Sequence, residues 1–376
     1  MPVRWTITST ESEGDAEATD WRWQLRSALR DPDALARKLC LGPRELAGVQ
    51  QAVARGLPLL ITPYYLGLCD PDDPHCPIRL QCVPSGQECV SVPGELSDPL
   101  GEQEHEVAPN LIRRYPDRAL LITTLQCAMH CRFCTRSRLV RTQSGAVPVA
   151  LLQPALQWLR DHPEVREVLL SGGDPLTIST GRIVDLVRRL RAIRSVELIR
   201  IATRAPAVMP MRIDAELLDA LRPMQPIWFM VHFNHPRELT EQARCALGLM
   251  VDGGFPVMSQ TVLLRGVNDD ARVLSELFRS LVNLRVRPYY LLHGDVVSGT
   301  SHLRTTVQQS IDLFGQLQGR LSGIALPKLV IDTPGGKGKV PVGPETIVAR
   351  SGQVTTVRTY RGEVVDILDP PTDQTR

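Results

Sequence analysis

The sequence predicts an α/β protein built on a parallel β-sheet, most simply a barrel or part of one. Six short apolar runs recur through the middle of the chain, and amphipathic stretches with apolar residues three or four positions apart lie between them. Strands that alternate with helices in this way favour parallel pairing. In such folds the chemistry gathers where strands end, so we expect the functional residues in the loops that follow the runs.

The segment 1–112 precedes these runs and predicts helices followed by irregular chain. The helical spacing is carried by these apolar residues: Trp21, Leu25, Leu29 and Leu35. Residues 62–110 are dense in Pro, Gly and Asp. This composition indicates an ordered segment that wraps around the rest of the protein, or a long loop.

The central segment, 113–315, holds the six apolar runs predicted as strands. They are ALLITT (119–124), EVLLS (167–171), ELIRIAT (197–203), IWFMVHF (227–233), PVMSQTVLL (256–264) and RPYYLL (287–292). Amphipathic helices are predicted between them, for example at 181–193 and 214–222.

The last segment, 316–376, offers one more apolar run, KLVID (328–332), and then the glycine-rich stretch TPGGKGKVPVGP. Residues 346–368 predict a β-hairpin with Ser-Gly and Arg-Gly turns.

Bulk composition limits the class of protein. The chain has 376 residues, 43% of them apolar and 22% charged, with a formal net charge of +2. Because positive and negative charges nearly balance, the composition gives no reason to expect binding to nucleic acid or to an acidic membrane surface. No run approaches the roughly 20 apolar residues of a membrane-spanning helix, and the N-terminus resembles neither a secretory signal nor a transit peptide. We therefore expect a cytoplasmic protein, in which clustered cysteines indicate metal binding or catalysis rather than disulfides.

Three cysteines follow the first predicted strand at the spacing C-x3-C-x2-C: Cys127, Cys131 and Cys134. A structural zinc site needs two such local pairs, whereas three thiolates on a [4Fe–4S] cluster leave one iron open to an outside ligand. The spacing is typical of radical S-adenosylmethionine enzymes, in which that cofactor binds the open iron. A zinc site with a distant fourth ligand, or unrelated buried cysteines, is the less favoured interpretation.

The other cysteines give weaker signals. Four lie in the wrapping segment at wide separations that match no compact metal motif: Cys69, Cys76, Cys82 and Cys89. Cys40 and Cys245 lie in helical patterns and are predicted to be small core residues.

Two glycine-containing motifs follow strands. Gly172 and Gly173 would let the backbone approach a ligand closely, and Asp174 could accept from an ammonium group, although a simple turn explains the motif equally well. The loop TPGGKGKVPVGP fails as a phosphate-binding P-loop, because Thr333 stands where Gly is needed and Val340 replaces Ser or Thr. Two interpretations of that loop remain, a Schiff-base lysine for an aldehyde cofactor and a solvated surface loop.

Taken together, these motifs resemble the lysine 2,3-aminomutase family from about Trp21 to Asp366. The matching stretches are ITPYYLGLCDPDDP, RYPDRALL, CAMHCRFCTR, LLSGGDPL, HFNHP, VLLRGVND, RPYYLLHGD, SHLRT and IDTPGGKGK. The resemblance implies a partial (βα)6 TIM-like radical SAM barrel with an N-terminal helical extension and a C-terminal segment that binds pyridoxal phosphate. It also implies a [4Fe–4S] cluster, S-adenosylmethionine, a flavodoxin- or ferredoxin-type reductant and a homo-oligomer.

The resemblance further implies roles for single residues. Lys339, rather than Lys337, carries pyridoxal phosphate, and Arg136 matches the residue that binds the substrate α-carboxylate, with an ordinary surface arginine as the alternative. The positions that line up with residues around S-adenosylmethionine are Ser171, Gly172, Gly173, Asp174, His232 and Gln260. Asp295 and Asp332 match the pair that meets the distal ammonium of lysine.

The expected reaction moves an α-amino group to the β-carbon of a free amino acid. Both acids are retained, which selects a cationic side chain, because a desolvated ammonium needs partners. L-Lysine is the first choice, and arginine is the alternative, since the LLHG stretch before Asp295 departs from the aromatic-containing run of lysine enzymes. His293 in that stretch would contact a guanidinium or simply pack. An inactive descendant that acts only as an iron–sulfur binding protein is disfavoured by the intact triad and Lys339.

Two departures from the family concern assembly. The chain ends soon after the predicted hairpin, without the cysteine-rich tail of long family members, and Asp270 stands at a zinc-ligand position. We therefore expect no zinc, and a dimer at least as readily as the family's tetramer.

Overall fold

A computed structural model describes residues 19–141 and 145–370 of the chain. The N-terminal stretch, in which no signal sequence was expected, and the chain end at 371–376 lie outside the described residues.

The α-helices lie before the central sheet and between its strands. In chain order they are α1 (Trp21–Arg26), α2 (Pro32–Lys38), α3 (Pro43–Ala54), α4 (Pro63–Leu66), α5 (Arg79–Cys82), α6 (Ser137–Val140), α7 (Val149–Asp161), α8 (Thr180–Arg191), α9 (Ala205–Val208), α10 (Ala215–Leu221), α11 (Glu241–Asp252), α12 (Ala271–Asn283) and α13 (Val307–Leu317).

The strands form two sheets. The first contains β1 (Glu106–Ala108), β2 (Leu111–Ile112), β3 (Arg118–Thr124), β4 (Glu167–Gly172), β5 (Leu198–Thr203), β6 (Ile227–His232), β7 (Val257–Val262), β8 (Arg287–Leu292), β9 (Lys328–Asp332) and β10 (Lys339–Pro341). The second contains β11 (Ile347–Ser351), β12 (Val354–Arg358) and β13 (Val364–Leu368).

The first sheet follows chain order from β1 to β10. Strands β3 to β9 are all parallel, whereas β1, β2 and β10 pair antiparallel at the two ends. Because the parallel strands run the same way, their carboxyl ends and the loops after them lie along one edge. The α/β class and the six strands predicted from sequence are confirmed, and KLVID adds a seventh parallel strand.

Alternation along β5 shows how the sheet separates its core from its functional face. Ile199 and Ile201 are fully buried. Arg200 and Ala202 alternate with them, so they point to the opposite face, and they line a cavity there. The apolar residues stabilise the sheet, while the alternate positions are available for ligands.

The crossover helices are amphipathic and capped. Helix α12 buries Leu274, Leu277, Phe278 and Leu281. Asp270 caps it by accepting from the backbone N–H groups of Arg272 and Val273. Such a cap stabilises a helix by about 1 kcal/mol, which explains an acid at this position without any metal.

The N-terminal segment differs in detail from its prediction. The apolar spacing from Trp21 to Leu35 covers two helices, because Leu29 leaves the helix and pairs with Ile61. Cys40 and Cys245 are exposed, so their prediction as core residues was wrong. Cys40 follows the end of α2 with a positive φ of 43°, and Cys245 lies on the outer face of α11.

The C-terminal sheet is a three-stranded meander rather than the two-stranded hairpin expected, since both predicted turns connect strands. No helix among the described residues is long and apolar enough to cross a bilayer.

Candidate active site

Two cavities meet at the carboxyl edge of the parallel strands. The cysteine cavity, of about 1160 Å³ including its mouth, is lined by Cys127, Cys131 and Cys134. The lysine cavity, of about 1020 Å³, is lined by Lys339 and Asp332. The two cavities share Arg136, Ser171, Ala202 and Gln260 on their walls. Ligands in the two cavities would therefore lie next to each other.

The triad occupies the loop between β3 and α6. Burial raises the pKa of Cys134 to about 12 and that of Cys127 well above its ordinary value, and neighbouring thiols of the triad raise both further. Buried thiolates that repel each other require a positive centre, which iron would supply. No three His, Cys, Asp or Glu side chains among residues 19–141 and 145–370 already stand at metal-site spacing. The fit of the triad to a cluster rests instead on the three cysteines lining one cavity with their thiols only partly exposed.

Residues 58–88, which include the start of the wrapping segment, hold the cysteine loop in place. The backbone N–H of His130 donates to Leu60 O at 2.9 Å, and that of Arg132 donates to Gln81 O at 3.0 Å. The Arg132 guanidinium donates through Nε to both carboxylate oxygens of Glu88, at 3.0 and 3.1 Å, and through Nη1 to Pro58 O at 2.7 Å. Because a buried charge without its partner is costly, this pair fixes the loop to the N-terminal segment.

The glycines after β4 serve a close approach of backbone to backbone. A Cβ on Gly172, whose φ is +122°, would lie 2.3 Å from Thr124 O, and a Cβ on Gly173 would lie 2.1 Å from Gln126 O. No side chain fits either position. The approached chain is the stretch that leads into Cys127, so the glycines set the position of the triad as well as lining the cavity.

Asp174 joins the ends of two strands. Its carboxylate accepts from Thr203 Oγ1 at 2.7 Å and from the backbone N–H groups of Leu176 and Arg204 at 2.9 and 2.8 Å. Burial raises its pKa. Protein donors thus already hold both oxygens, although the residue also lines the cysteine cavity.

His232 is held in one neutral tautomer. Its Nε2 lies 2.9 Å from Asn234 Oδ1, which also accepts from the Val262 N–H, while Asn234 Nδ2 donates to Gln81. The network therefore assigns the ring proton to Nε2 and leaves Nδ1 as an acceptor. Burial lowers the pKa of His232 to about 3, so the ring stays neutral at ordinary pH.

Arg136 is partly buried between the two cavities rather than an ordinary surface arginine. Its Nε donates to Glu102 Oε1 at 2.8 Å, its Nη2 lies 2.7 Å from the same oxygen, and its Nη1 donates to Ser171 Oγ at 3.2 Å. The Glu102 side chain is only 2% exposed. A substrate carboxylate would have to share this fork with Glu102 or displace it.

The two predicted acids have different environments. Asp295 accepts from Thr135 Oγ1 at 2.6 Å, and burial raises its pKa to about 6. Asp332 accepts from Arg114 Nη2 at 2.6 Å and contacts Lys339 Nζ. Burial favours a higher pKa for Asp332, but the two cations outweigh it, so its pKa is lowered.

The glycine-rich loop presents one of its two lysines to the cavity. Lys339 begins β10, and its backbone N–H donates to Tyr115 Oη at 3.0 Å. Lys337 is exposed and lines neither cavity. The Gly335 N–H donates to Pro99 O at 2.9 Å, and a Cβ on Gly336 would lie 2.5 Å from Leu100 O. These glycines let the loop approach the wrapping segment.

Arginines that the sequence did not single out line the lysine cavity: Arg114, Arg118 and Arg200. Arg118 stacks over the Tyr115 ring, with Cζ 3.8 Å from its centroid. Arg200 contacts Glu167, but its buried Nε has no hydrogen-bond partner within the described residues. An unsatisfied guanidinium donor in a cationic cavity fits an anion such as a phosphate.

Comparison with known proteins decides the family. A model of the radical SAM superfamily matches residues 121–277, and a model of lysine-2,3-aminomutase matches residues 314–375. The L-lysine 2,3-aminomutase of Clostridium subterminale is 41% identical over 95% of this chain and 85% of its own length. The chain belongs to the lysine 2,3-aminomutase family. The resemblance drawn from its motifs is thereby confirmed.

Other members show that the family spans more than one substrate. The L-lysine 2,3-aminomutase of Bacillus subtilis is 39% identical over 93% of this chain and 74% of its own length. The glutamate 2,3-aminomutase of Clostridioides difficile is 34% identical over 97% of this chain and 86% of its own length. As a lysine 2,3-aminomutase family member, the protein is a radical SAM isomerase with a [4Fe–4S] cluster, S-adenosylmethionine and pyridoxal phosphate as cofactors.

In this family member the structure brings all the sequence-predicted site residues to the two cavities. The cysteine cavity holds Cys127, Cys131, Cys134, Arg136, Ser171, Gly172, Gly173, Asp174, His232, Gln260 and Asp295. The lysine cavity adds Asp332 and Lys339. Sequence reasoning missed Glu102, Arg204 and Glu238, whereas Arg114, Arg118 and Asn234 lay unremarked inside the stretches RYPDRALL and HFNHP.

Proposed function

We propose that the protein is a 2,3-aminomutase that converts L-lysine to β-lysine by moving the α-amino group to the β-carbon. The observation that carries this proposal is a pair of acids that face the two adjoining cavities, Asp295 in the cysteine cavity and Asp332 in the lysine cavity. A desolvated ammonium requires such partners. Relatives named as lysine enzymes at up to 41% identity support the same choice.

The cofactors carry the difficult chemistry. When bound, the cluster and S-adenosylmethionine supply a carbon-centred radical that takes and returns a hydrogen atom, and pyridoxal phosphate carries the migrating nitrogen. Cys127, Cys131 and Cys134 would bind three of the four irons. The cavities adjoin, so this chain would hold the reacting carbons close to the radical source.

Residues of the lysine cavity would hold pyridoxal phosphate. Lys339 is the amine that would bond its aldehyde carbon, because its side chain lines the cavity. The free Nε of Arg200 and the nearby guanidiniums of Arg114 and Arg118 would bind the phosphate. Asp332 Oδ2, which contacts Lys339 Nζ, would be available to a substrate ammonium if Lys339 bonded the cofactor instead.

Residues of the cysteine cavity would hold S-adenosylmethionine. Ser171, Gly172, Gly173, Asp174 and Gln260 lie on the wall beside the triad. His232 would accept a hydrogen bond through Nδ1, because Nε2 is bound to Asn234.

Substrate orientation would depend on Arg136. Its planar fork matches the α-carboxylate, and its position on the shared wall puts that carboxylate between the cofactors. The distal ammonium would then meet Asp295 and Asp332. A ligand fixed at both ends keeps the β-carbon in one place.

We also propose that the parallel sheet curves into a partial (βα)6 barrel. Support comes from the lysine cavity, to which each strand from β3 to β10 contributes at least one lining residue. The barrel would occupy 113–315, with 1–112 as the N-terminal extension and 316–376 as the segment that binds pyridoxal phosphate.

Electron supply and assembly complete the proposal. A cytoplasmic flavodoxin- or ferredoxin-type protein would reduce the cluster. A homo-oligomer is supported by exposed apolar side chains on the C-terminal meander, namely Ile347, Val348, Val364, Val365, Ile367 and Leu368.

Anaerobic incubation tests the function. Protein reconstituted with iron, sulfide and pyridoxal phosphate is mixed with S-adenosylmethionine, dithionite and lysine, arginine, ornithine or glutamate in turn, and products are identified by mass spectrometry. We expect β-lysine as the fastest product. Arginine is the second substrate to test, because His293 lines the same cavity as Asp295. Fastest turnover of glutamate, or no product from fully loaded protein, would reject the proposal.

A further inference from the structure

A buried arginine contacts one cysteine of the triad. Arg204 directly follows β5, and its side chain is 8% exposed. Its Nη1 donates to Cys131 Sγ at 2.9 Å. Charge-assisted hydrogen bonds of this kind are stronger than neutral ones.

A network outside the cavity fixes that guanidinium. Arg204 Nη2 donates to Gln81 Oε1 at 2.6 Å and to Glu238 Oε1 at 2.7 Å. Tyr65 Oη donates to the same oxygen of Glu238 at 2.8 Å. The Glu238 side chain is fully buried, and its other oxygen accepts from the Asn234 N–H at 2.6 Å. With Nη2 held by these acceptors, Nη1 is placed at the sulfur.

Aromatic rings limit motion out of the guanidinium plane. Arg204 Cζ lies 5.2 Å from the Phe133 ring centroid and 5.6 Å from that of Tyr65. Both distances allow a cation–π contact. The network thus joins the ITPYYLG, CAMHCRFC and HFNHP stretches, which lie far apart in sequence, around one side chain.

We propose that Arg204 is a positioning residue that holds Cys131 for the cluster and raises the cluster's reduction potential. The cluster takes up one electron when it passes from the 2+ to the 1+ state, and the added negative charge spreads onto its cysteine sulfurs. A donor and a positive charge fixed at one sulfur stabilise the reduced state. The inference rests on the proposed function, because it requires the cluster to be bound.

Arg132 provides a matched comparison. It is adjacent to Cys131 in sequence and is also buried, yet its guanidinium donates to Glu88 and Pro58 O. Each arginine has one buried acid, Glu238 or Glu88. Of these two arginine–acid pairs, the Arg204 pair is the one with a hydrogen bond to a cysteine sulfur, from Arg204 Nη1 to Cys131 Sγ.

The test compares the wild-type protein with two double variants. One variant carries both Arg204→Gln and Glu238→Gln, and the other carries both Arg132→Gln and Glu88→Gln. Neutralising both partners avoids a lone buried charge. Each protein is reconstituted with iron and sulfide, its iron is counted, and its folding is checked by circular dichroism. Midpoint potentials are measured by titration with titanium(III) citrate, which gives up one electron per cluster, while the signal of the reduced cluster is followed by electron paramagnetic resonance.

We expect the Arg204 pair of substitutions to shift the midpoint potential of the bound cluster to more negative values. The Arg132 pair, which anchors the cysteine loop without touching a sulfur, lowers iron content at most and leaves the midpoint of the bound cluster close to wild type. An unchanged midpoint in the Arg204 variant, or equal midpoint shifts in both variants, would overturn the inference. If the Arg204 double variant does not fold or binds no iron, Arg204→Lys replaces it. A smaller negative shift is then expected, and an unchanged midpoint rejects the role. Wild-type protein that binds no cluster would instead reject the proposed function.

Discussion

At the scale of single residues, Asp332 shows how a charged site can be satisfied before any ligand arrives. Its carboxylate contacts both Arg114 and Lys339, whereas the Asp295 carboxylate accepts, within residues 19–141 and 145–370, only from the Thr135 hydroxyl. The two acids therefore differ in pKa, with Asp295 raised and Asp332 lowered. Asp332 would become free to bind an ammonium only after Lys339 bonds the cofactor, which makes substrate binding depend on cofactor loading.

The first prediction separates the two loop lysines. Lys339→Ala should abolish covalent retention of pyridoxal phosphate and lower activity on the order of 10³-fold or more, because the amine that bonds the aldehyde is gone. Lys337→Ala is the control, since Lys337 is exposed and outside both cavities. The measurement is absorbance of bound cofactor after borohydride reduction and dialysis. Retention in the Lys339 variant and loss in the Lys337 variant would reverse the assignment.

The second prediction concerns the pH dependence of Asp295. Its raised pKa means that the carboxylate gains its charge as pH rises through about 6. Cofactor attachment removes one cation that lowers this pKa, so the inflection should lie at about 6 or above. We expect kcat/KM for lysine, which reports the free enzyme, to fall as pH drops through that value.

Asp295→Asn should remove this inflection and raise the KM for lysine by about 10- to 100-fold, since one charged hydrogen bond contributes about 1.5–3 kcal/mol. The KM for S-adenosylmethionine serves as the internal control and should change little. An equal rise in both constants, or an unchanged pH profile, would contradict the role of Asp295.

Charged residues whose partners lie far away in sequence were the hardest to predict. The triad has a local spacing that indicates its chemistry, and the family resemblance selects Lys339, so these residues could be proposed without a structure. Glu102, Arg204 and Glu238 have no such signal, because each looks in sequence like an ordinary surface charge. Only the fold brings Glu238 to Arg204 and Glu102 to Arg136, across at least 34 positions of chain in each case.

At the scale of elements, the strands were predictable because buried parallel strands are nearly continuous apolar runs bounded by polar turns. Loops were less so. The glycines after β4 were expected to make room for a ligand, and the structure shows that they also make room for the chain before Cys127, which the sequence did not indicate. Cys245 was misplaced because helical spacing alone does not say which side of a helix a small residue occupies.

The third prediction tests the turn after β4. Gly173→Ala puts a Cβ 2.1 Å from Gln126 O, so the chain before Cys127 must move. We expect a loss of about 1–3 kcal/mol of stability, typical of overpacking, together with reduced iron content after reconstitution.

Gly181→Ala is the matched control, because a Cβ there has open space within helix α8. It should leave iron content unchanged and raise the melting temperature slightly, since Ala is favoured over Gly in a helix by up to about 1 kcal/mol. Full iron content and unchanged stability in the Gly173 variant would show that the turn does not position the triad.

At the scale of the whole molecule, the C-terminal meander stands out because its apolar side chains are not covered by any other part of the described chain. Leu368 is 77% exposed and Val364 is 58% exposed. Several exposed apolar side chains on one small sheet favour an interface. A second copy of the chain is the occupant that we propose.

The fourth prediction follows from that surface. Val364→Lys with Leu368→Lys should convert the wild-type oligomer to a particle near 41.7 kDa, the mass of one chain, because two buried ammonium groups would oppose association. Size-exclusion chromatography with light scattering measures the change. Val307→Lys, at an exposed apolar position on α13 outside the meander, should leave the mass unchanged. A monomeric wild-type protein would contradict the proposed homo-oligomer.

The hydrogen bonds and the ion pair between residues 58–88 and the cysteine loop have a consequence for cluster assembly. A chain cut at the predicted boundary of 112 would keep the entire parallel sheet and the whole triad, yet it would lose the Glu88 partner of Arg132 and the Tyr65 and Gln81 partners of Arg204. The cysteine loop would then lack the backbone acceptors and the buried acid that hold it. We therefore expect cluster insertion to follow the docking of residues 58–88, and Glu238, which anchors Arg204, is translated about a hundred residues after the last cysteine of the triad.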